Sequence, residues 1–131
     1  MNVLPDTSVW VDYLRHAQHG SAWPLDILLA SGAVVVCGPV MAEILAGARQ
    51  PTRAHVWSLF QALPWTPLGR NEWYRIGEVA AALRERGMTV PLTDVEIAVS
   101  AVAAPAALWS GDTDFERVAQ VLPELQRYRP S

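Results

Sequence analysis

Residues Ala33-Val34-Val35-Val36 decide the fold class. Three successive valines with no polar residue among them predict a strand covered on both faces, because a strand with one wet face alternates polar and apolar side chains. Strands covered on both faces are the mark of a parallel sheet, whose crossover connections lay helices over it. The flanking sequence has to supply those helices and further strands.

Upstream, Val3-Leu4 reads as a first strand ending at Pro5-Asp6, and Thr7-Ser8 can open a helix. Val9, Trp10, Tyr13 and Leu14 recur at helical spacing along one face of that helix, with Asp12, Arg15 and His16 facing outward. Past the turn residues Gly20 and Ser21, a second helix is predicted from Pro24 to Ala30, closed by Gly32. Downstream of the valines, Pro39 suits the first turn of a third helix running through Ile44 and Leu45. A fourth, from Thr52 to Leu63, places Val56, Leu59, Phe60 and Leu63 on one face. Trp65-Thr66-Pro67-Leu68 is a short edge strand, since proline cannot donate to a central ladder. A long helix from Asn71 to Arg86 carries Trp73, Ile76, Val79, Ala80 and Leu83 and stops at Gly87. Ala106-Ala107-Leu108-Trp109 is another interior strand, and Leu125 to Tyr128 a last one. Strands alternating with helices give an α/β fold with a parallel sheet wrapped on both sides.

Between the long helix and the Ala106 strand lies Leu92-Thr93-Asp94-Val95-Glu96-Ile97-Ala98. Thr93 and Glu96 have the spacing of a capping box, and Leu92 and Ile97 that of a hydrophobic staple. The helix that follows is apolar on nearly every side until Pro105, so it is expected to be buried. Asp94 falls in its first turn, where the backbone dipole favours the ionised form. Thr113 and Glu116 repeat the capping-box spacing at the next helix.

The chain has 131 residues, enough for one α/β domain spanning 1–131. Hydrophobic residues make up 51% and include six Trp, more apolar surface than a domain this small needs, which suggests coverage by a partner. The net charge of −3 excludes binding of nucleic acid by global attraction, leaving only a local basic patch. All ten basic residues are Arg, and Arg49, Arg53, Arg84, Arg86 and Arg117 are candidate phosphate contacts. A single cysteine, Cys37, excludes an internal disulfide and a cysteine-based zinc site, and suits a reducing cytosol. His16, His19 and His55 lack metal-ligand spacing and are expected on the surface. No stretch reads as a signal peptide or membrane span, so a soluble, cytoplasmic protein is expected.

In parallel sheets, ligands bind beyond the carboxyl ends of the strands. Asp6 directly follows the first strand and Asp112 the Ala106 strand, so both carboxylates are expected in one crevice. Unit charges about 4 Å apart repel by roughly 4 kcal/mol at an effective dielectric near 20, so the pair needs a cation or a shared proton. Oxygen ligands alone suit Mg²⁺ or Mn²⁺; a proton-sharing acid pair is the rival. Asp6, Asp94 and Asp112 are each also ordinary residues for a helix start, and Glu43 and Asp114 also suit a solvated face.

Four segments together carry a resemblance: Leu4-Pro5-Asp6-Thr7-Ser8-Val9-Trp10, Val40-Met41-Ala42-Glu43-Ile44-Leu45-Ala46-Gly47, Thr93-Asp94-Val95-Glu96-Ile97-Ala98, and Gly111-Asp112-Thr113-Asp114-Phe115. In this order and spacing they resemble a PIN domain of the VapC toxin type over essentially the whole chain. The resemblance implies a three-layer α/β/α fold with a central parallel sheet of four to five strands. It further implies a Mg²⁺-dependent endoribonuclease, Mn²⁺ being the alternative ion, with Asp6, Glu43, Asp94 and Asp112 as catalytic acids and metal ligands. Asp114 is an accessory ligand in that pattern, Asp6 and Asp94 hold the principal ion, and Thr7, Ser8 and Thr93 support them. A VapB-type antitoxin whose tail covers the site, an RNA substrate and a homodimer are implied with it. Trp57, Phe60 and the Trp73 helix are expected at those contacts, and Trp10 is a possible stacking platform near Asp6. Three departures leave every candidate ligand in place: Pro5 replaces the aliphatic residue usual before the first Asp, Pro105 with Ala106 shortens a turn that often carries Gly, and Ser110-Gly111, where Thr or His and a polar or basic residue are usual, bears on substrate contacts near Gly111. A catalytically inactive PIN-like module that only docks RNA or protein is the alternative from the binding class; a metal-dependent phosphatase or DNA nuclease is another within enzymes.

Overall fold

A computed structural model describes residues 1–16 and 23–130. Gly20, Ser21 and His19 therefore lie outside the described residues. The elements alternate as the valine run requires: β1 (Asn2–Pro5), α1 (Thr7–His16), α2 (Pro24–Ala30), β2 (Val36–Cys37), α3 (Gly38–Gly47), α4 (Thr52–Gln61), β3 (Trp65–Thr66), α5 (Arg70–Glu85), α6 (Leu92–Ala103), β4 (Ala106–Trp109) and α7 (Asp114–Val121).

All strand pairings are parallel. β1 pairs with β4 in the register Val3 to Ala107, β2 pairs with β3, and a bridge from Val3 to Val34 joins the two pairs into one surface. The joint is made by the Val3 N–H donating to the Ala33 carbonyl at 2.7 Å and the Val35 N–H to the Val3 carbonyl at 2.9 Å. A further bridge from Leu108 to Arg127 sets a fifth extended segment against β4. The order across the sheet is thus β3, β2, β1, β4 and the Arg127 segment, as expected for four to five strands. The valine run is buried throughout, from Val34 at 1% exposure to Cys37 at 0%. Its hydrogen bonds are divided, the first half facing β1 and the second facing β3.

This order reverses direction at β1. The chain moves outward from β1 to β2 and β3, then returns to the other side of β1 for β4. Right-handed crossovers place the helices of the two excursions on opposite faces. The packing agrees: α1, α3 and α4 form one group, and α5, α6 and α7 another. The crevice beside β1 and β4 is therefore a topological switch point.

Helix ends follow local chemistry, though not always at the residues the spacing favours. Gly32 and Gly87 have φ of +73° and +72°, and each ends its helix with paired bonds from the two following amides. Gly32 N–H donates to the Leu29 carbonyl and Ala33 N–H to that of Leu28; Gly87 and Met88 do the same at Arg84 and Leu83. The α6 capping box does not form. Pro91, extended at φ −56° and ψ 139°, occupies the cap with no side-chain bond, so Leu92 is the first helical residue and Thr93 lies inside the turn. Leu92 is 50% exposed while Ile97 is buried. The Thr113 and Glu116 box is absent too; Thr113 is helical at φ −69° and ψ −16° and makes no side-chain cap bond.

The core is centred on the sheet and α6, whose Val95, Ile97, Ala98, Val99 and Ala101 are all buried. Trp10 and Phe60 are 0% exposed and meet edge to face at 4.7 Å. Both are core residues, which corrects the expectation that Phe60 reaches a partner and leaves Trp10 on the apolar face of α1 rather than as a stacking platform. Trp57, Trp65, Trp73 and Tyr74 are instead exposed at 42%, 38%, 49% and 70%. Trp73 is thus exposed while Ile76, Val79 and Leu83 of the same helix are buried, which leaves it available for the partner contacts expected of that helix. Among the described residues no helix is long and apolar enough to cross a membrane.

Candidate metal centre

A cleft of about 640 Å³ opens at the switch point. Asp6, Thr7, Ser8, Val11, Asp12 and Arg15 line it from α1 and its entry, Glu43 from α3, Asp94 and Ile97 from α6, and Gly111 and Asp112 from the loop after β4. The four acids named from the sequence meet there. Asp6 and Asp112 arrive at strand ends, where backbone direction delivers them; Glu43 and Asp94 arrive on helices from the two faces.

Asp6 is 5% exposed and held by three donors. Its Oδ1 accepts from the Ser8 hydroxyl at 2.7 Å and from the Val9 N–H at 3.1 Å, while Oδ2 accepts a short bond from the Ser110 hydroxyl. The bond from Val9 makes Asp6 the N-cap of α1. Both readings of Asp6 are therefore satisfied at once, cap and cleft acid. Thr7, the next residue, donates from Oγ1 to Glu43 Oε1 at 2.6 Å, tying α1 to α3.

The opposite wall is arranged by the loop after β4. Ser110 Oγ, while donating to Asp6, accepts from the Asp112 N–H at 3.0 Å; Asp112 Oδ1 in turn accepts from the Asp114 N–H at 2.9 Å. This Asx-type turn replaces the expected Thr113 cap. It also brings carboxylate oxygens of Asp94, Asp112 and Asp114 within 4.8 Å of one another. Asp6 and Glu43 line the same cleft outside that tight group. Asp114 Oδ1 is shared with Arg117 in an ion pair of 2.8 Å.

Burial and the surrounding carboxylates act together on Asp94. The Asp94 carboxyl is pushed from its ordinary 3.8 up to about 7, first by burial and then by repulsion from Asp112, Asp114, Glu43 and Asp6. This reverses the expectation that the helix dipole keeps Asp94 ionised, since desolvation and four nearby acids outweigh a dipole effect of about 0.3–1 kcal/mol. Glu96 is also raised, by burial first and then by Glu43, but it faces a separate groove with Trp65 and Trp73. Thr93 makes no side-chain cap, and it is not among the residues lining the cleft.

The donor set fits a hard divalent cation. Every candidate ligand is a carboxylate oxygen, as Mg²⁺ and Mn²⁺ prefer, and repulsion from Asp112, Asp114, Glu43 and Asp6 adds to burial in raising the Asp94 carboxyl. Against five acids, Arg15 is the one cation among the lining residues. Arg15 faces the cleft where the sequence reading had it facing outward. Its signal was available: with Thr7 and Val11 it forms an i, i+4, i+8 row on one helical face. Ser110 could likewise be suspected from its place directly after β4.

Comparisons with known proteins match this architecture. A family model described as PIN domain matches residues 3–121. The crystal structure of VapBC2 from Rickettsia felis bound to a DNA fragment from its promoter contains a similar chain, with a TM-score of 0.77 and 19% identity over 100% of both chains. DNA-bound VapBC from Salmonella typhimurium gives 0.74 at 17% identity over 98% of this chain and 97% of the other. VapBC-5 from Mycobacterium tuberculosis gives 0.63 at 22% identity over 98% of each chain. At such identities the likeness concerns the fold. No curated protein matches the sequence.

Proposed function

The chain belongs to the PIN domain family, and from that premise we propose that it is the VapC-type toxin of a toxin–antitoxin system, a Mg²⁺-dependent endoribonuclease acting in the cytoplasm as a single domain. The observation that carries this reading is the meeting of Asp6, Glu43, Asp94 and Asp112 in one cleft at the switch point of the sheet. The structural likeness to chains of VapBC complexes supports the toxin assignment.

Asp6, Glu43, Asp94 and Asp112 would hold the cation, with Asp114 beside them. Once bound, Mg²⁺ or Mn²⁺ supplies an acidified water and neutralises charge growing on the phosphoryl oxygens. The protein supplies geometry. Three donors lock Asp6, and the Thr7 hydroxyl locks Glu43. Arg15 offers a fork of N–H donors at the rim for the phosphate of an RNA strand. Ser8 serves Asp6 rather than substrate, its hydroxyl being committed to Oδ1.

Partners follow from the same reading. A VapB-type antitoxin would cover the acidic cleft, and basic side chains on its tail would meet charge that the toxin leaves unbalanced. Trp57, Trp65, Trp73 and Tyr74 supply exposed aromatic surface for that partner or for a homodimer.

The test is cleavage of single-stranded RNA by purified protein with and without Mg²⁺ or Mn²⁺, beside single-stranded DNA and a small phosphate ester. RNA cleavage that requires the ion and disappears in Asp94→Asn is expected. An inactive docking module would show no cleavage and no calorimetric uptake of either ion, and preference for DNA or the ester would reassign the substrate.

A further inference from the structure

Arg127 lies beyond the segment that the family model matches, yet its side chain ends at the loop that carries the acids. The backbone sets this up. The fifth extended segment hydrogen-bonds to β4 on both sides of Leu108, with the Leu108 N–H donating to the Gln126 carbonyl and the Tyr128 N–H to the Leu108 carbonyl, each at 2.8 Å. From that register Arg127 Nη2 donates to the Ser110 carbonyl at 3.1 Å, and its guanidinium carbon lies 5.7 Å from the centre of the Phe115 ring. The cation therefore spans the loop, holding its start at Ser110 and resting on the first turn of α7 at Phe115.

An arginine in this setting is costly without a purpose. Its Nε is buried with no partner, and it is in no ion pair among the described residues. An unpaired buried donor costs about 1–3 kcal/mol, although the side chain as a whole is only half-buried. A neutral side chain would fill the space more cheaply. What the guanidinium achieves is to fix the Ser110 peptide, and Ser110 is where the two halves of the site join: its hydroxyl donates to Asp6 and accepts from the Asp112 N–H.

We propose that Arg127 is a positioning residue for the carboxylate site, acting through Ser110 to set Asp112 against Asp6. The inference rests on the metal-dependent reading of the cleft. Asp6 comes from the end of β1 and Asp112 from a loop after β4, and among the described residues no other side chain is hydrogen-bonded to both. If the Ser110 peptide rotates, its hydroxyl loses one or both acids, and Asp112 is free to move with the loop. Asp114, whose N–H is held by Asp112, moves with it.

The experiment is calorimetric titration of the full chain with Mn²⁺ alone, beside its thermal midpoint without metal, for wild type, Arg127→Met, Arg127→Lys, Ser110→Ala and the Arg127→Met/Ser110→Ala double variant. Outer partners of metal ligands typically contribute 10–100-fold in affinity, so Arg127→Met and Ser110→Ala should each weaken Mn²⁺ binding about 10-fold or more. The double variant should be no weaker than the weaker single one, because both changes break the same link. Arg127→Lys, which keeps a donor for the carbonyl, should bind Mn²⁺ more tightly than Arg127→Met. Unchanged Mn²⁺ affinity in Arg127→Met, or losses that add in the double variant, overturns the positioning role while the metal site stands. Wild-type protein that takes up no Mn²⁺ overturns the metal reading and this inference with it.

Discussion

Thr7 donates across 2.6 Å to Glu43, 36 residues away, and both residues line the cleft. This contact joins the first residue of α1 to the middle of α3, so the helix that Asp6 caps also steers a second acid. The bond is exposed and of little weight for stability, about 0.5–1.5 kcal/mol at most. Its value lies in orientation.

Thr7→Val should therefore leave the thermal midpoint nearly unchanged and weaken Mn²⁺ binding, whereas Glu43→Gln keeps an acceptor for Thr7 and removes one repelling charge. Glu43→Gln is expected to raise the metal-free midpoint and abolish cleavage. Thermal unfolding in a chelator and RNA cleavage with Mg²⁺ check the pair. A lower midpoint in Glu43→Gln would mean that the charge is balanced by something other than a cation.

The raised carboxyl of Asp94 makes stability depend on pH. Its folded value of about 7 lies above the ordinary 3.8, so between those values the folded protein holds a proton that the unfolded chain has released. Stability without metal should accordingly fall as pH rises from about 4 to about 7 and then level off. Glu96 is raised as well and pulls the same way. Asp94→Asn should flatten most of the fall. Added Mg²⁺ should stabilise the wild type more at pH 8 than at pH 6, since binding requires the ionised form. Midpoints measured in a chelator and in Mg²⁺ across that range decide the matter, and a flat metal-free profile would remove Asp94 from the coupled group.

Asp6 cannot be removed cleanly, because it is both a cleft acid and the cap of α1. Asp6→Ala should cost about 1 kcal/mol from the cap alone, and more from the Ser8 and Ser110 hydroxyls left without their acceptor. Asp6→Asn retains capping ability and is the better probe of chemistry. It should keep most of the stability while losing cleavage, by comparison of urea midpoints with rates on one RNA substrate.

Thr93 reads as a cap from its spacing and is not one in the structure. Thr93→Val should change stability by no more than about 0.5 kcal/mol and leave Mn²⁺ affinity intact. Loss of affinity would show that the threonine supports Asp94 in the assembled site.

The error at Thr93 shows where sequence reading stops. A capping box is recognised from two residue types three apart, but its formation depends on which residue first turns helical, and Pro91 settles that one step earlier. The same limit applies at Thr113, where the Asp112 side chain takes the turn instead. Phe60 shows the same limit: spacing leaves it free to serve a partner or the core, and the structure buries it at 0% exposure against Trp10 while Trp57 and Trp73 stay exposed.

By itself, the sequence determined the order of strands and helices, the burial of the valine run and of α6, and the delivery of Asp6 and Asp112 to one end of the sheet. These depend on periodicity and chain direction, which are local. The assembled fold alone shows that Asp94 is raised rather than held charged, and that Ser110, 104 residues from Asp6, bonds to it and is held by Arg127. Such properties arise where elements distant in sequence share a low-dielectric space, and the forces there depend on distances that no local pattern encodes.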